Sequence, residues 1–302
     1  MKIKRDFALL LVAALVVSVA LTVSGCGSKK EEGPVIRVGS KDFTEGLLVG
    51  EIYALALENA GYTVERKLNI AGSLVHTAIT SGDIDLYPEY TGTALLSVLQ
   101  LEMNSDPDAV YSTVKEEYDR QFDLTWLNST AVNNTNGFAI RRDVAEEYGI
   151  YTISDLQANA DKIRVCSQGE FEYREDGLPG LEKVYGEFDF ASISVYDSGI
   201  KYQVLLNGEA DLCFGYSTDA QLADTENFVY LEDDLYFFPP YYMAPVIRNE
   251  LLKAYPEIAD VLNAISAKLD NETMIALNAK VDIDKREVDE VAKEFFDSIK
   301  QR

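Results

Sequence analysis

Few residues in this chain could do covalent or metal chemistry. One histidine, His76, and three cysteines, Cys26, Cys166 and Cys213, occur in 302 residues. A Cys/His zinc centre takes about four ligands and would need all four of these scattered residues together, and a disulfide-stapled miniprotein needs a far denser cysteine count, so neither fits. No Gly-x-Ser-x-Gly elbow, His-Glu-x-x-His helix or Walker loop occurs, so the chain reads as a non-enzyme needing no metal and no cofactor. His76 stands alone on an expected helix, where packing or solvent accounts for it better than base chemistry. Tyrosine is in surplus, with 18 against 13 Phe and 1 Trp. Its apolar, electron-rich ring and polar tip can build a binding surface as well as fill a core. A formal net charge of −24 repels phosphate backbones and argues against a nucleic-acid partner.

The elements that must position these residues begin with an address. Lys2, Lys4 and Arg5 precede an uncharged run from Phe7 to Gly25, the pattern of a secretory signal, although a run of 19 residues is also long enough for a membrane anchor. Val23-Ser24-Gly25-Cys26 resembles the bacterial lipobox. Residues 1–25 are therefore read as a signal peptide, Cys26 as the lipidated first residue, and 26–34 as a polar tether. The expected location is extracytoplasmic, lipid-anchored to the bacterial cell membrane; more than one acyl chain makes such attachment stable. Cleavage there would shift the net charge to −26. With 26% charged and 47% hydrophobic residues, the remainder has the composition of a folded domain.

An internal repeat constrains the fold. Ile36-Arg37-Val38-Gly39-Ser40 recurs as Ile163-Arg164-Val165-Cys166-Ser167, Gly82-Asp83-Ile84-Asp85-Leu86 as Gly208-Glu209-Ala210-Asp211-Leu212, and Tyr90-Thr91 as Tyr216-Ser217, at offsets of 126 or 127. Each copy reads as β-α-β-α-β: strands at Val35–Val38, Thr63–Asn69 and Ile84–Tyr87 with helices at Phe43–Asn59 and Ser73–Thr80, then strands at Ile163–Ser167, Ser192–Tyr196 and Ala210–Phe214 with helices at Gly180–Tyr185 and Lys201–Leu206. Such alternation gives parallel sheets, which bind ligands beyond the carboxyl ends of their strands. Ser40-Lys41, Tyr90-Thr91, Ser167-Gln168 and Tyr216-Ser217 fall there. The expected lobes are 35–136 with 239–302, and 137–238, joined by crossings near Asn133–Gly137 and Phe238–Tyr242. The stretch from Lys285 to Lys300 carries Val288, Val291, Phe295 and Ile299 on one helical face, expected against the first lobe. Cys166 and Cys213 fall on neighbouring parallel strands, as a bridge or as buried thiols.

Several separated blocks then point to a family. Gly39-Ser40-Lys41-Asp42-Phe43-Thr44-Glu45, Tyr87-Pro88-Glu89-Tyr90-Thr91-Gly92-Thr93, Arg174-Glu175-Asp176-Gly177, Tyr216-Ser217-Thr218-Asp219 and Phe238-Pro239-Pro240-Tyr241 resemble the substrate-binding proteins of quaternary-amine ABC importers, which carry glycine betaine, carnitine and choline. The resemblance covers roughly residues 35–300. It implies an α/β, type II periplasmic-binding-protein fold, with delivery of a small zwitterion to a membrane permease driven by a cytoplasmic ATPase. A quaternary ammonium has no N–H to donate, so aromatic faces must hold it. The resemblance makes Tyr90, Tyr216 and Tyr241 the walls of that cage. Lys41 and Arg174 are expected at a ligand carboxylate, with Thr93 donating a hydroxyl. Ser73, Thr91, Asn134 and Tyr242 are further candidates. Asn136 stands where several members have an aromatic, leaving three tyrosine walls and one amide. That departure opens the way to carnitine or ergothioneine beside glycine betaine. Asp219 and Glu89 keep open an amino-acid receptor, in which an acid would meet a primary ammonium.

Overall fold

The computed structural model describes residues 34–167, 169, 171–173, 177–196 and 200–300. Val35–Arg302 forms one compact unit and Met1–Pro34 another, of which only Pro34 is described. The signal segment, Cys26 and the tether up to Gly33 thus lie outside the described residues, as does Arg174.

The first repeat supplies β1 (Val35–Lys41), α1 (Thr44–Asn59), β2 (Thr63–Ile70), α2 (Val75–Ser81) and β3 (Leu86–Tyr90), followed by α3 (Pro107–Phe122) and β4 (Leu124–Trp126). The second supplies β5 (Asn136–Arg141), α4 (Arg142–Tyr148), α5 (Ile153–Ala158), β6 (Arg164–Ser167), α6 (Leu178–Tyr185), β7 (Ser192–Val195), α7 (Lys201–Leu206), β8 (Leu212–Tyr216) and β9 (Phe228–Tyr230). The chain then returns through β10 (Met243–Arg248) and ends in α8 (Asn249–Ala254), α9 (Ile258–Ser266), α10 (Asn271–Asp282) and α11 (Val288–Lys300). The strands form two five-stranded sheets, ordered β2-β1-β3-β10-β4 and β7-β6-β8-β5-β9. In each, a parallel trio is joined by an antiparallel strand that arrives from the other half of the chain: β10 beside β3, and β5 beside β8.

The repeat is written in ion pairs as well as in topology. Asp85 accepts from the Arg37 backbone N–H at 2.8 Å, from its Nε at 2.9 Å and from its second guanidinium nitrogen at 2.6 Å. Asp211 accepts from the same three atoms of Arg164 at 3.0, 2.9 and 2.6 Å. The remaining guanidinium nitrogen donates to Gly82 O in one copy and Gly208 O in the other. Each forked contact ties the start of the first repeat strand to the loop before the third, which places the carboxyl ends of β1 and β3, and of β6 and β8, side by side.

The third strand of each repeat runs further than expected, to Tyr90 and Tyr216. The first continues through Pro88, a residue that lacks the N–H a strand interior normally uses. In the structure Pro88 faces Pro245 of β10, and β1 meets β3 only at Val38↔Leu86, so neither neighbour needs the N–H that proline lacks.

Helix α1 is buried almost all round. Leu48, Val49, Ile52 and Leu57 share one core with Ile36 and Val38 below and with Leu262, Val291 and Phe296 of the C-terminal helices above. Val288, Phe295 and Ile299 pack on the same core, so the amphipathic end of the chain covers the first sheet. Cys166 and Cys213 face each other across β6 and β8 as buried free thiols. Burial pushes the Cys166 thiol up to about 11. His76 lies edge-on to Tyr118 and Phe122, with ring centroids 5.4 and 4.6 Å away.

Candidate functional site

The two crossings run side by side. Asn133 bridges Tyr242 in antiparallel fashion, its Oδ1 accepts from Tyr241 N at 2.7 Å, and Asn134 N–H donates to Tyr241 O at 3.1 Å. Thr135 Oγ1 donates to Pro239 O at 3.0 Å. Side-chain hydroxyls hold the carbonyls of both prolines here, Thr135 that of Pro239 and Thr91 that of Pro240. A cavity of about 550 Å³ lies against these crossings, within the size range of small-solute sites.

Its lining comes from every segment that the sheets deliver there. Lys41 ends β1, and Phe43, Thr44 and Glu45 open α1; Tyr90 ends β3, with Thr93 one turn on. Asn134 and Asn136 lie on the first crossing and Tyr241 on the second, while Tyr216, Thr218, Asp219 and Gln221 follow β8. Asn278 and Asp282 reach in from α10. Four aromatic side chains, Phe43, Tyr90, Tyr216 and Tyr241, therefore share one wall system, and Phe43 lies 6.0 Å from Tyr90 between ring centroids. Two glycines make room. A Cβ on Gly92 would lie 2.7 Å from the Tyr241 ring, and one on Gly215 would lie 2.8 Å from Asp219 Oδ2.

Glu45 is the polar hub. Its carboxylate accepts the Tyr90 hydroxyl at 2.7 Å, Asn134 Nδ2 at 3.0 Å and Asn278 Nδ2 at 3.2 Å. It sits in the first turn of α1, where the helix macrodipole favours negative charge. Burial first and the Glu45 charge second hold the Tyr90 hydroxyl well above its usual range, so it stays protonated and donates. Asp219 plays the matching part in the second sheet, accepting from Lys201 Nζ at 2.7 Å, Tyr202 OH at 2.8 Å and Tyr216 N–H at 3.1 Å. Lys41 is buried and paired with Glu89, its ammonium 5.1 Å from the Tyr90 ring centroid. Three carboxylates and one already-paired ammonium thus line the cavity, an electrostatic setting for a cation.

Of the residues expected from sequence, Lys41, Tyr90, Thr93, Asn136, Tyr216, Tyr241 and Asn134 meet at this cavity. Three other expected residues, Thr91, Tyr242 and Ser73, are not in its lining. Thr91 is buried as a strut, donating to Pro240 O at 2.9 Å and accepting from Tyr242 N at 3.0 Å. Tyr242 points its lining role elsewhere, to a second cavity of about 620 Å³ shared with Tyr230 and Pro240. Ser73 is exposed in the turn before α2 and is absent from the lining. Phe43, Glu45, Asn278 and Asp282 were missed. The first two stand in the block that ends β1 and were readable there; the α10 pair had no sequence signal, since only tertiary packing brings that helix to the site. Among the described residues no cluster of His, Cys, Asp or Glu could hold a metal ion, and no helix is long and apolar enough to cross a membrane.

Residues 34–298 match the family model described as the substrate-binding domain of the ABC-type glycine betaine transport system. The chain belongs to this family. It is accordingly a substrate-binding component of an ABC transporter and not an enzyme. A glycine-betaine-binding protein of Pseudomonas aeruginosa is 34% identical over 88% of each chain, and a carnitine transport binding protein of Listeria monocytogenes is 32% identical over 97% of this chain and 96% of that one. An ergothioneine transport permease/binding protein of Helicobacter pylori is 35% identical over 89% of this chain, which spans 48% of that protein's length. The crystal structure of a glycine betaine/carnitine/choline ABC transporter protein is similar, with a TM-score of 0.83 at 28% identity, covering 87% of this chain and 98% of that one. The two-sheet architecture is the type II periplasmic-binding-protein fold of such receptors.

Proposed function

We propose that this family member is the lipid-anchored extracytoplasmic receptor of an importer and holds a trimethylammonium zwitterion of the betaine or carnitine type in its aromatic cavity. On this reading Cys26 carries the anchor, residues 26–34 are the tether, and 35–136 with 239–302 close against 137–238 about the paired crossings. The ligand passes to a membrane permease coupled to a cytoplasmic ATPase. The observation that carries the reading is the convergence of Phe43, Tyr90, Tyr216 and Tyr241 on a cavity whose ionised groups are mostly carboxylates. A cation without N–H donors is held by ring faces and nearby negative charge. Lys41, with Arg174 from the other lobe, is assigned to the ligand carboxylate.

Calorimetry with glycine betaine, carnitine, choline and common amino acids tests it. Binding of the quaternary amines, with Lys41→Ala weakening the carboxylated ones more than choline, is expected; binding of amino acids alone would overturn the reading. Loss of membrane association in Cys26→Ala tests the anchor.

A further inference from the structure

Helix α10 carries two faces with different neighbours. Met274, Leu277 and Val281 pack into the core shared with α1 and β1, at a spacing that keeps them on one side of the helix. Asn271, Ile275, Asn278 and Asp282 make a second stripe at the same kind of spacing, and this one follows the seam between the two sheets. At its start the Asn271 amide clasps the first crossing: Oδ1 accepts from Asn133 N–H at 2.8 Å and Nδ2 donates to Asn133 O at 3.3 Å. One turn on, Ile275 packs into a core of the second sheet, the cluster that holds Cys166, Cys213, Leu222 and Phe228. Asn278 Nδ2 then donates to Glu45 on α1 at 3.2 Å and to Thr218 O beyond β8 at 2.9 Å. The helix also lies along the turn Ala220–Ala223. By chain order α10 belongs with the first sheet; by packing it belongs to both.

Two crossings that run side by side act as one ribbon, which lets the bodies it joins both bend and twist. A tie held away from the ribbon blocks the twist and leaves the bend, and from Asn271 to Asn278 the helix carries its grip about 10 Å along its axis. We infer that α10 is a third connection between the lobes, one that confines cleft movement to a single direction, and that Ile275 and Asn278 are positioning residues that keep the Glu45 wall and the Thr218 wall aligned for the ligand. This rests on the function proposed above. Ile275 is not in the lining of the ligand cavity, so its truncation reads alignment and not contact. Calorimetry with glycine betaine and carnitine is run on the wild-type protein, Ile275→Ala, Asn278→Ala, the double variant and Leu205→Ala, a buried residue of the same second core on α7. Lost alignment lowers the competent fraction and raises the dissociation constant by the same factor, about tenfold for each single variant. Both cut one tie, so the double variant should stay near tenfold and not reach the roughly 100-fold of independent contributions. The loss should fall on the association rate, read by stopped-flow tyrosine fluorescence, because fewer free molecules are aligned. Leu205→Ala should lower the melting temperature and keep affinity within about twofold. If Ile275→Ala does not fold, Ile275→Val carries the test, with a loss of about threefold expected. An Ile275 variant that binds like wild type, a fully additive double variant, or an equal loss in Leu205→Ala would overturn the inference and leave the trimethylammonium reading standing. If the wild-type protein bound neither zwitterion, that reading itself would fall.

Discussion

Tyr216 offers the cleanest test of the aromatic cage. It is 47% exposed at the cavity rim, whereas Tyr90 is 4% exposed and anchors Glu45 through its hydroxyl. Truncating Tyr90 would mix core damage with lost binding; truncating Tyr216 should not. An exposed side chain outside the core changes stability by less than about 0.5 kcal/mol on substitution, so Tyr216→Ala should keep its melting temperature within a degree or two of wild type. The binding loss has a different origin. A cation sandwiched against a ring and shut off from water gains about 2 kcal/mol, which is about 30-fold in dissociation constant. Tyr216→Phe keeps the face and should stay within about threefold of wild type by the same scale. Calorimetric titration of glycine betaine or carnitine into the three proteins, with thermal unfolding alongside, reads both quantities. The reasoning fails if Tyr216→Ala binds within twofold of wild type, or if Phe loses as much as Ala, which would make the hydroxyl and not the ring the binding element.

Asp85→Ala and Asp211→Ala each remove a forked guanidinium contact and a backbone acceptor, and each should cost about 2 kcal/mol in urea denaturation with ligand affinity unchanged. Arg164 is more exposed than Arg37, 43% against 33%, so the second variant should lose less; the reverse order would show that the pairs are not equivalent. Gly92→Ala sets a methyl 2.7 Å from the Tyr241 ring and should weaken binding about tenfold in a normally folded protein, an effect that vanishes if the ring can tilt away. Burial lowers the His76 pKa; the folded state then binds fewer protons than the unfolded chain just below the free value of about 6.5. Stability should fall as pH drops from 7 toward 5, and His76→Phe should flatten that slope, measured by denaturant midpoints across the window. Asp219→Asn leaves Lys201 without its carboxylate and should weaken cation binding, with the double variant Asp219→Asn, Lys201→Met recovering part of the loss.

The fold was legible because the repeat is encoded in residues with local work to do. Arg37 and Asp85, like Arg164 and Asp211, are spaced to clamp neighbouring strand ends, and the alternation of apolar runs with glycines marks the rest. The site was legible wherever it hangs on those strand ends: Lys41, Tyr90 and Tyr216 each terminate a strand or follow it directly. Legibility stopped where position depends on packing between remote parts of the chain. Asn278 and Asp282 belong to a helix whose sequence pattern speaks only of its own buried face, and nothing local reveals that the face beside it meets Glu45 and Thr44. Thr91 shows the same limit, since a hydroxyl next to Tyr90 can face the cavity or, as here, hold the carbonyl of Pro240.

On the function proposed above, the pairing of two lysines explains how the aromatic wall can hold a cation with ammonium groups so near. Lys41 Nζ lies 5.1 Å from the Tyr90 centroid and Lys201 Nζ 5.4 Å from that of Tyr216. A ligand cation packed on the same ring would lie within roughly 9 Å of such an ammonium, a repulsion of at least roughly 0.5–2 kcal/mol between the limits of water and a half-buried site. That is as large as the cation–π attraction itself, so an unpaired lysine there would cancel the wall. Glu89 and Asp219 remove the problem by pairing with the lysines at contact distance. The two lysines do not occupy equivalent positions: Lys41 ends β1, and Lys201 opens α7. The same neutralised arrangement is thus reached twice by different routes. Inheritance of the duplicated strands does not account for it; on the function proposed above, the electrostatic demand of a quaternary cation against each ring does.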